Sequence, residues 1–317
     1  MGGAVWSKLA TWKASNEAKW AAVNHAAHVL TFWLPSLALF WIRRNKLFTR
    51  YKIQKDEEPP AALVAEALKH VTKNTLIIPF VSVLFYRLLA AGGKRAVRAG
   101  KGGGGEGAAD EADEAEAAKA GKVGMVGEAA GAEHGWAAVR FLGALPAWST
   151  TLWQVAVAYL GYDAMFYWSH RYLHLKESAV GGYAAVHKMH HKFYVPVGIS
   201  ANYEHTVEGA MQLLNWYLPL GLAGWLNRGR GGLHVSTAFW YNALRWIETI
   251  DAHCGYDFPW SPFSLIPLFG GALSHDYHHS MVFGNFGATV IWDRLCGTEL
   301  PAFKKLRLKG KLRDGLR

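Results

Sequence analysis

Cysteine is nearly absent from this chain: Cys254 and Cys296 are the only two, and neither sits in a CxxC pair. That argues against a disulfide scaffold and fits side chains facing a reducing cytosol. Charge is scarce as well. Asp, Glu, Lys and Arg make up 18% of the residues, against roughly 25% in ordinary soluble domains, while 51% are hydrophobic and 14% aromatic. A membrane is the natural home for that balance. The first residues lack the basic stretch, short apolar core and small-residue cleavage site of a secretory signal, so no removable leader is expected. Met1-Gly2 opens like a myristoylation motif, but Trp6 stands where Ser or Thr is needed. Much of the formal charge of +10 comes from Ala302 to Arg317, with seven Lys or Arg and one Asp. Nothing resembling a nucleic-acid recognition module accompanies it, and no nucleic-acid partner is expected.

Where charge is missing altogether, spans can be placed. Trp20 to Ile42 runs 23 residues without Asp, Glu, Lys or Arg, enough to cross a hydrocarbon core that needs about 20. The segment from Arg43 to Lys55 carries six basic residues, which the positive-inside rule places in the cytosol. Asn74 to Gly93, interrupted by Arg87, is a second candidate; Phe141 to Tyr162 is a third and Gly209 to Asn227 a fourth. Leu233 to Ile250 can return as a fifth, with Arg245 and Glu248 suiting a buried wall better than a lipid-facing one. That parity puts Lys94, Arg95 and Arg98 on the luminal side, against the rule. The expected organisation is a membrane region at 1–93, a Gly/Ala/Glu-rich flexible linker at 94–135, a catalytic domain at 136–300 and a basic tail at 301–317. The fold class expected is all-α: an integral membrane bundle of about four to five spanning or re-entrant helices under a cytosolic helical cap.

Histidine is what the chain has in concentrated form. Eight of its fifteen fall into three clusters, His170 with His174, His187 with His190 and His191, and His275 with His278 and His279. Residues i, i+3 and i+4 share one helix face, so each cluster is expected to aim its imidazoles at a single point. Three converging clusters supply more nitrogens than one tetrahedral zinc uses, which favours a two-metal centre with open positions.

The strings around the clusters, Phe166-Tyr-Trp-Ser-His-Arg-Tyr-Leu-His174, His187-Lys-Met-His-His-Lys-Phe193 and His275-Asp-Tyr-His-His279, resemble the histidine boxes of the membrane fatty acid hydroxylase and sterol desaturase superfamily. Asp251-Ala-His-Cys-Gly-Tyr-Asp-Phe-Pro-Trp260, Ile266-Pro-Leu-Phe-Gly-Gly271 and Trp292-Asp-Arg-Leu-Cys-Gly-Thr298 are most similar to 4-methylsterol oxidases. The resemblance covers about 145 to 300. It implies a non-haem di-iron monooxygenase of the endoplasmic reticulum membrane with a cytosolic catalytic face. Two iron ions (or zinc after purification), O2 and electrons from NAD(P)H through cytochrome b5 and its reductase would serve it. The expected substrate is a sterol, oxidised at its 4-methyl group. The resemblance adds His253 and His205 to the expected metal ligands, although His205 lacks the proline that usually follows and Cys254 replaces a serine. Asp163, Glu208, Asp251 and Asp276 are carboxylates placed to accept the second ring N–H of a ligand. Ring desaturation and hydroxylation of an acyl or sphingoid chain fit the same spacing. A metal transporter would put its ligands amid broken spans; a scaffold folded around zinc is the remaining non-enzymatic reading.

Overall fold

The computed structural model describes residues 2–90, 139–141 and 144–308; the linker expected at 94–135 and the end of the basic tail lie outside them. The described residues are predominantly helical. A short α1 (Gly2–Thr11) precedes α2 (Asn16–Arg44), and α3 (Ala61–Ala90), α4 (Trp148–Leu173), α5 (Thr206–Leu226) and α6 (Val235–Ala252) follow. The shorter α7 (Gly271–Met281) and α8 (Pro301–Leu308) come last. The only described sheet is a two-residue parallel pair, β1 (Val139–Arg140) with β2 (Leu233–His234).

Local chemistry sets these boundaries. Ser15 caps α2 by accepting from the Ala18 amide at 3.2 Å, filling an acceptor role that a helix start leaves open. Inside α2, Val29–Trp33 forms a π-helical turn just ahead of Pro35. Proline has no N–H and its ring crowds the carbonyl four residues earlier, so a widened turn there is a direct accommodation. α3 begins thirteen residues before the apolar run predicted from Asn74, because Ala61 to Lys73 is rich in good helix formers. α4 starts at Trp148, later than Phe141, and continues past Tyr162 through the first histidine pair. Gly161 lets α4 approach α5 closely: a Cβ there would lie 2.9 Å from the Pro219 side chain.

Two helices, Asn16–Arg44 and Ala61–Leu89, are long and apolar enough to cross a membrane. They turn large side chains outward, among them Leu37, Trp41, Leu76 and Phe80. α4 and α5 extend the belt with Leu152, Leu160, Leu218 and Leu222. An exposed apolar surface of this extent on several adjacent helices is what lipid covers. Arg245 and Glu248, on α6, instead pair with each other in the interior, the guanidinium 3.5 Å from the Tyr162 ring centre.

The helices run up and down with matched ends. Trp20, Val23, Phe85, Leu89, Leu220 and Leu233 pack into one core, which joins the start of α2 and α6 to the ends of α3 and α5. At the other end, Phe32, Ala67, Val71, Phe193, Tyr203 and Ile250 form a second core beneath the histidines. The basic segment after α2 lies at that same end: the Ile53 amide donates to the Gly255 carbonyl at 3.1 Å and the Asp257 amide to Tyr51 at 2.8 Å.

Candidate metal centre

The structure gathers nine histidines into two adjoining groups. His170, His174, His187, His191 and His278 form one, and His190, His253, His275 and His279 the other; within each, the potential ligand nitrogens all lie within 4.8 Å of one another. The last turn of α4 supplies His170 and its C-cap His174, a 3-10 stretch at His187–Lys192 supplies three, the C-cap of α6 supplies His253, and α7 supplies three.

The expectation that each cluster aims at a single point holds only for His170 and His174. His187 and His191 serve the five-membered group while His190 serves the other; His275 and His279 serve the four-membered group while His278 crosses over. At about 100° per residue on α7, His278 and His279 fall to opposite sides of His275 and diverge. The spacing brings the rings together but does not show which group each one joins.

Tautomers follow from the outer ring nitrogens. His170 Nδ1–H donates to the Phe286 carbonyl at 2.7 Å, His278 to Gly284 at 2.7 Å, His253 to Thr249 at 2.8 Å and His190 to Tyr203 at 3.4 Å. A carbonyl only accepts, so in each neutral ring Nε2 is left as a bare lone pair. Yet Nε2 of His190 lies 3.3 Å from Nε2 of His253, and Nε2 of His170 3.0 Å from Nε2 of His187. Lone pairs facing one another call for a cation between them. A proton is a poor choice, since burial drives the His190 imidazole down to about 4 and His253 to about 3. His174 Nε2 is buried with no hydrogen-bond partner. An array of neutral imidazoles with their backs held by acceptors is the donor set of a borderline metal such as iron or zinc.

The remaining predicted residues sort by contact. Glu208 Oε1 accepts from His187 Nδ1 at 2.8 Å, in direct support of a ring in the five-membered group. His205 belongs to neither group: its Nδ1 accepts from the Val207 amide at 3.2 Å and caps α5, a need imposed by the helix start. Asp163 accepts from the Thr289 amide and hydroxyl at 2.8 and 2.6 Å rather than from a histidine ring. Asp251 accepts from Ser261 at 2.7 Å and Asp276 from Gln54 at 3.0 Å, so neither orients a ring. The acceptors that do so are mainly backbone carbonyls, which carry no residue signature. The carboxylate behind one of them, the Phe286 carbonyl, is Asp293, which was also missed; it stands in the Trp292–Thr298 string.

Cavity and histidines are continuous. A cavity of about 340 Å³ reaches from His170, His187, His190, His253 and His275 down between α3, α5 and α6 as far as His28 and Asn24. Ile77, Val81, Phe166, Leu213, Trp216 and Trp246 give it apolar walls, with polar groups both at the histidine end and at the far end by Asn24 and His28, a mixture found in ligand sites.

Acid should destabilise the metal-free fold. The buried rings have folded values depressed below the unfolded 6.5, so the unfolded chain binds more protons between pH 6.5 and about 4. Stability is therefore complete above 6.5 and falls as pH drops, by on the order of 1 kcal/mol per histidine per pH unit at most. The expected result is a melting temperature of chelator-treated protein in detergent that falls from pH 7.5 to 5.5; a flat profile would contradict a buried neutral array.

Fold and site together define a mostly helical protein with two helices long and apolar enough to cross a membrane and two adjoining histidine groups that could hold metal. The profile of the fatty acid hydroxylase family matches residues 155–298. The chain is 36% identical over 281 residues to very-long-chain aldehyde decarbonylase GL1-11 of Oryza sativa subsp. indica, covering 87% of this chain and 84% of the relative. With GL1-8 of the same rice it shares 31% over 294 residues, 90% of this chain and 87% of the relative. It is 37% identical over 167 residues to methylsterol monooxygenase 2-2 of Arabidopsis thaliana, 51% of this chain and 58% of the relative. No solved structure matches. The chain belongs to the fatty acid hydroxylase family and is an enzyme, an oxidoreductase.

Proposed function

We propose that this chain is a membrane-bound, non-haem di-iron monooxygenase that oxidises the 4-methyl group of a sterol precursor, with O2 as co-substrate and electrons from NAD(P)H through cytochrome b5 and its reductase. The observation that carries the oxygenase reading is the set of opposed Nε2 lone pairs lying at the head of an apolar cavity. In this reading the nine grouped histidines hold the two irons, which when bound supply the redox chemistry that activates O2. Zinc suits the same nitrogens and is the ion expected to compete. Residues 136–300 are the catalytic segment. Four to five helices cross or enter the endoplasmic reticulum membrane, and the histidine end, which shares its side with the Arg43–Lys55 segment, faces the cytosol.

The protein's own work is placement. An unactivated methyl offers no handle for acid or base, so the carbon attacked is decided by which one the walls hold near the nitrogens and by exclusion of water. Phe166, Trp216 and Trp246 supply rigid flat surfaces suited to a fused ring system. Glu208 and the carbonyls of Gly284, Phe286 and Thr249 keep the imidazoles in the binding tautomer.

The sterol assignment is supported by the 35–37% identity to two methylsterol monooxygenases of Arabidopsis. A second reading has its own support: the aldehyde decarbonylases of rice align over far more of the chain, so a very-long-chain aldehyde is the rival substrate. Expressing the chain in yeast lacking its methylsterol oxidase, and offering the membranes a 4,4-dimethylsterol or a very-long-chain aldehyde, separates the two. Restored growth with 4-hydroxymethyl and 4-carboxy sterols is expected. Consumption of the aldehyde alone would overturn the sterol assignment while keeping the family chemistry.

A further inference from the structure

We infer that Asp293 is a positioning residue for the five-histidine group, its charge reaching His170 through the peptide between Phe286 and Gly287. The inference rests on the metal-centre reading above. His170 Nδ1–H donates to the Phe286 carbonyl at 2.7 Å. The N–H of the same peptide unit belongs to Gly287 and donates to Asp293 Oδ2 at 2.8 Å. A carboxylate on the N–H side of an amide polarises its carbonyl, strengthening it as an acceptor and making the imidazole beyond it a better donor to a metal. Linked hydrogen bonds therefore run from carboxylate to peptide to ligand.

Asp293 is held for this. Its Oδ1 accepts from the Phe286 amide at 2.9 Å and the Thr298 hydroxyl at 2.7 Å, so with Gly287 three donors converge on it, the pattern of an ionised carboxylate. The neighbouring peptide is built alike. His278 Nδ1–H donates to the Gly284 carbonyl, and the N–H of that unit, on Asn285, donates to the Thr298 carbonyl at 3.0 Å. Gly287 makes the approach feasible: a Cβ there would collide with the Thr289 carbonyl oxygen and lie 3.1 Å from Asp293 Oδ2. In the four-histidine group the described contacts of the outer nitrogens are to carbonyls alone, His190 resting on Tyr203. His253 leans on a carbonyl of its own helix, and His279 Nδ1 has no partner. Among the described contacts, carboxylates stand behind His187 directly and behind His170 through a peptide, both in the five-membered group.

The test is metal release from the full-length protein in detergent, loaded with iron or zinc and mixed with excess chelator. Glu208→Gln, which touches His187, marks the phase belonging to the five-histidine group. Asp293→Asn is expected to speed that phase by about tenfold and to leave the other at the wild-type rate. Gly287→Ala should do the same, and carries the test if Asn at 293 blocks folding. A purely structural role would instead accelerate both phases together, and that result, or unchanged release in both variants, overturns the inference. Wild-type protein that binds two metals beside an unaltered Asp293→Asn leaves the metal centre standing and sinks only this link; wild-type protein that binds none sinks both.

Discussion

Replacing His190 or His278 by Ala is expected to abolish product formation while the amount of protein in the membrane stays at the wild-type level. Insertion depends on apolar spans such as Asn16–Arg44 and Ala61–Leu89, to which neither ring contributes. Each change removes one nitrogen from a different group. His190→Ala should therefore lower metal content by weakening the four-membered group, and His278→Ala by weakening the five-membered one, with turnover lost in both because the chemistry needs the pair. Membrane fractionation, elemental analysis and sterol profiling on the same preparations check this. Turnover surviving both changes would refute the two-metal centre outright.

Arg245→Met is expected to be the most destabilising substitution in the membrane region. The guanidinium is buried against Glu248 and the Tyr162 ring. Removing it strands a carboxylate in a nonpolar interior, at a cost of about 3–5 kcal/mol. The Arg245→Met, Glu248→Met double variant should recover most of that loss, since apolar side chains of similar volume often replace a buried pair with little penalty. Thermal unfolding in detergent across the single and double variants measures the coupling; additive losses would show that the pair is not a unit.

What could be read from the sequence was whatever runs long without charge or repeats at helical spacing. The run at Trp20–Ile42 announces itself by length without charge, and the histidines of α4 and α7 by recurring at i, i+3 and i+4. Less was visible wherever the backbone itself is the functional group. The carbonyls of Gly284, Phe286 and Thr249 orient three rings, and nothing about Phe286 as a residue type predicts that. Nor can spacing show where a cluster divides, as at His278 and His279, because convergence depends on where the other elements lie. His205 illustrates the opposite case: an imidazole in a ligand-rich stretch lies outside both groups and caps the start of α5. Asp163 sits at the right interval from His170 but faces Thr289, which steadies the same loop that carries the Phe286 carbonyl.

The division of neighbouring histidines has a mechanical result. His190 and His191 are joined by one peptide bond, as are His278 and His279, yet the members of each pair belong to different groups. Their ring centres stand 5.7 and 5.8 Å apart, with planes nearly perpendicular in both. Two covalent rulers of matching length therefore fix, from separate parts of the chain, how far the two histidine groups stand from one another.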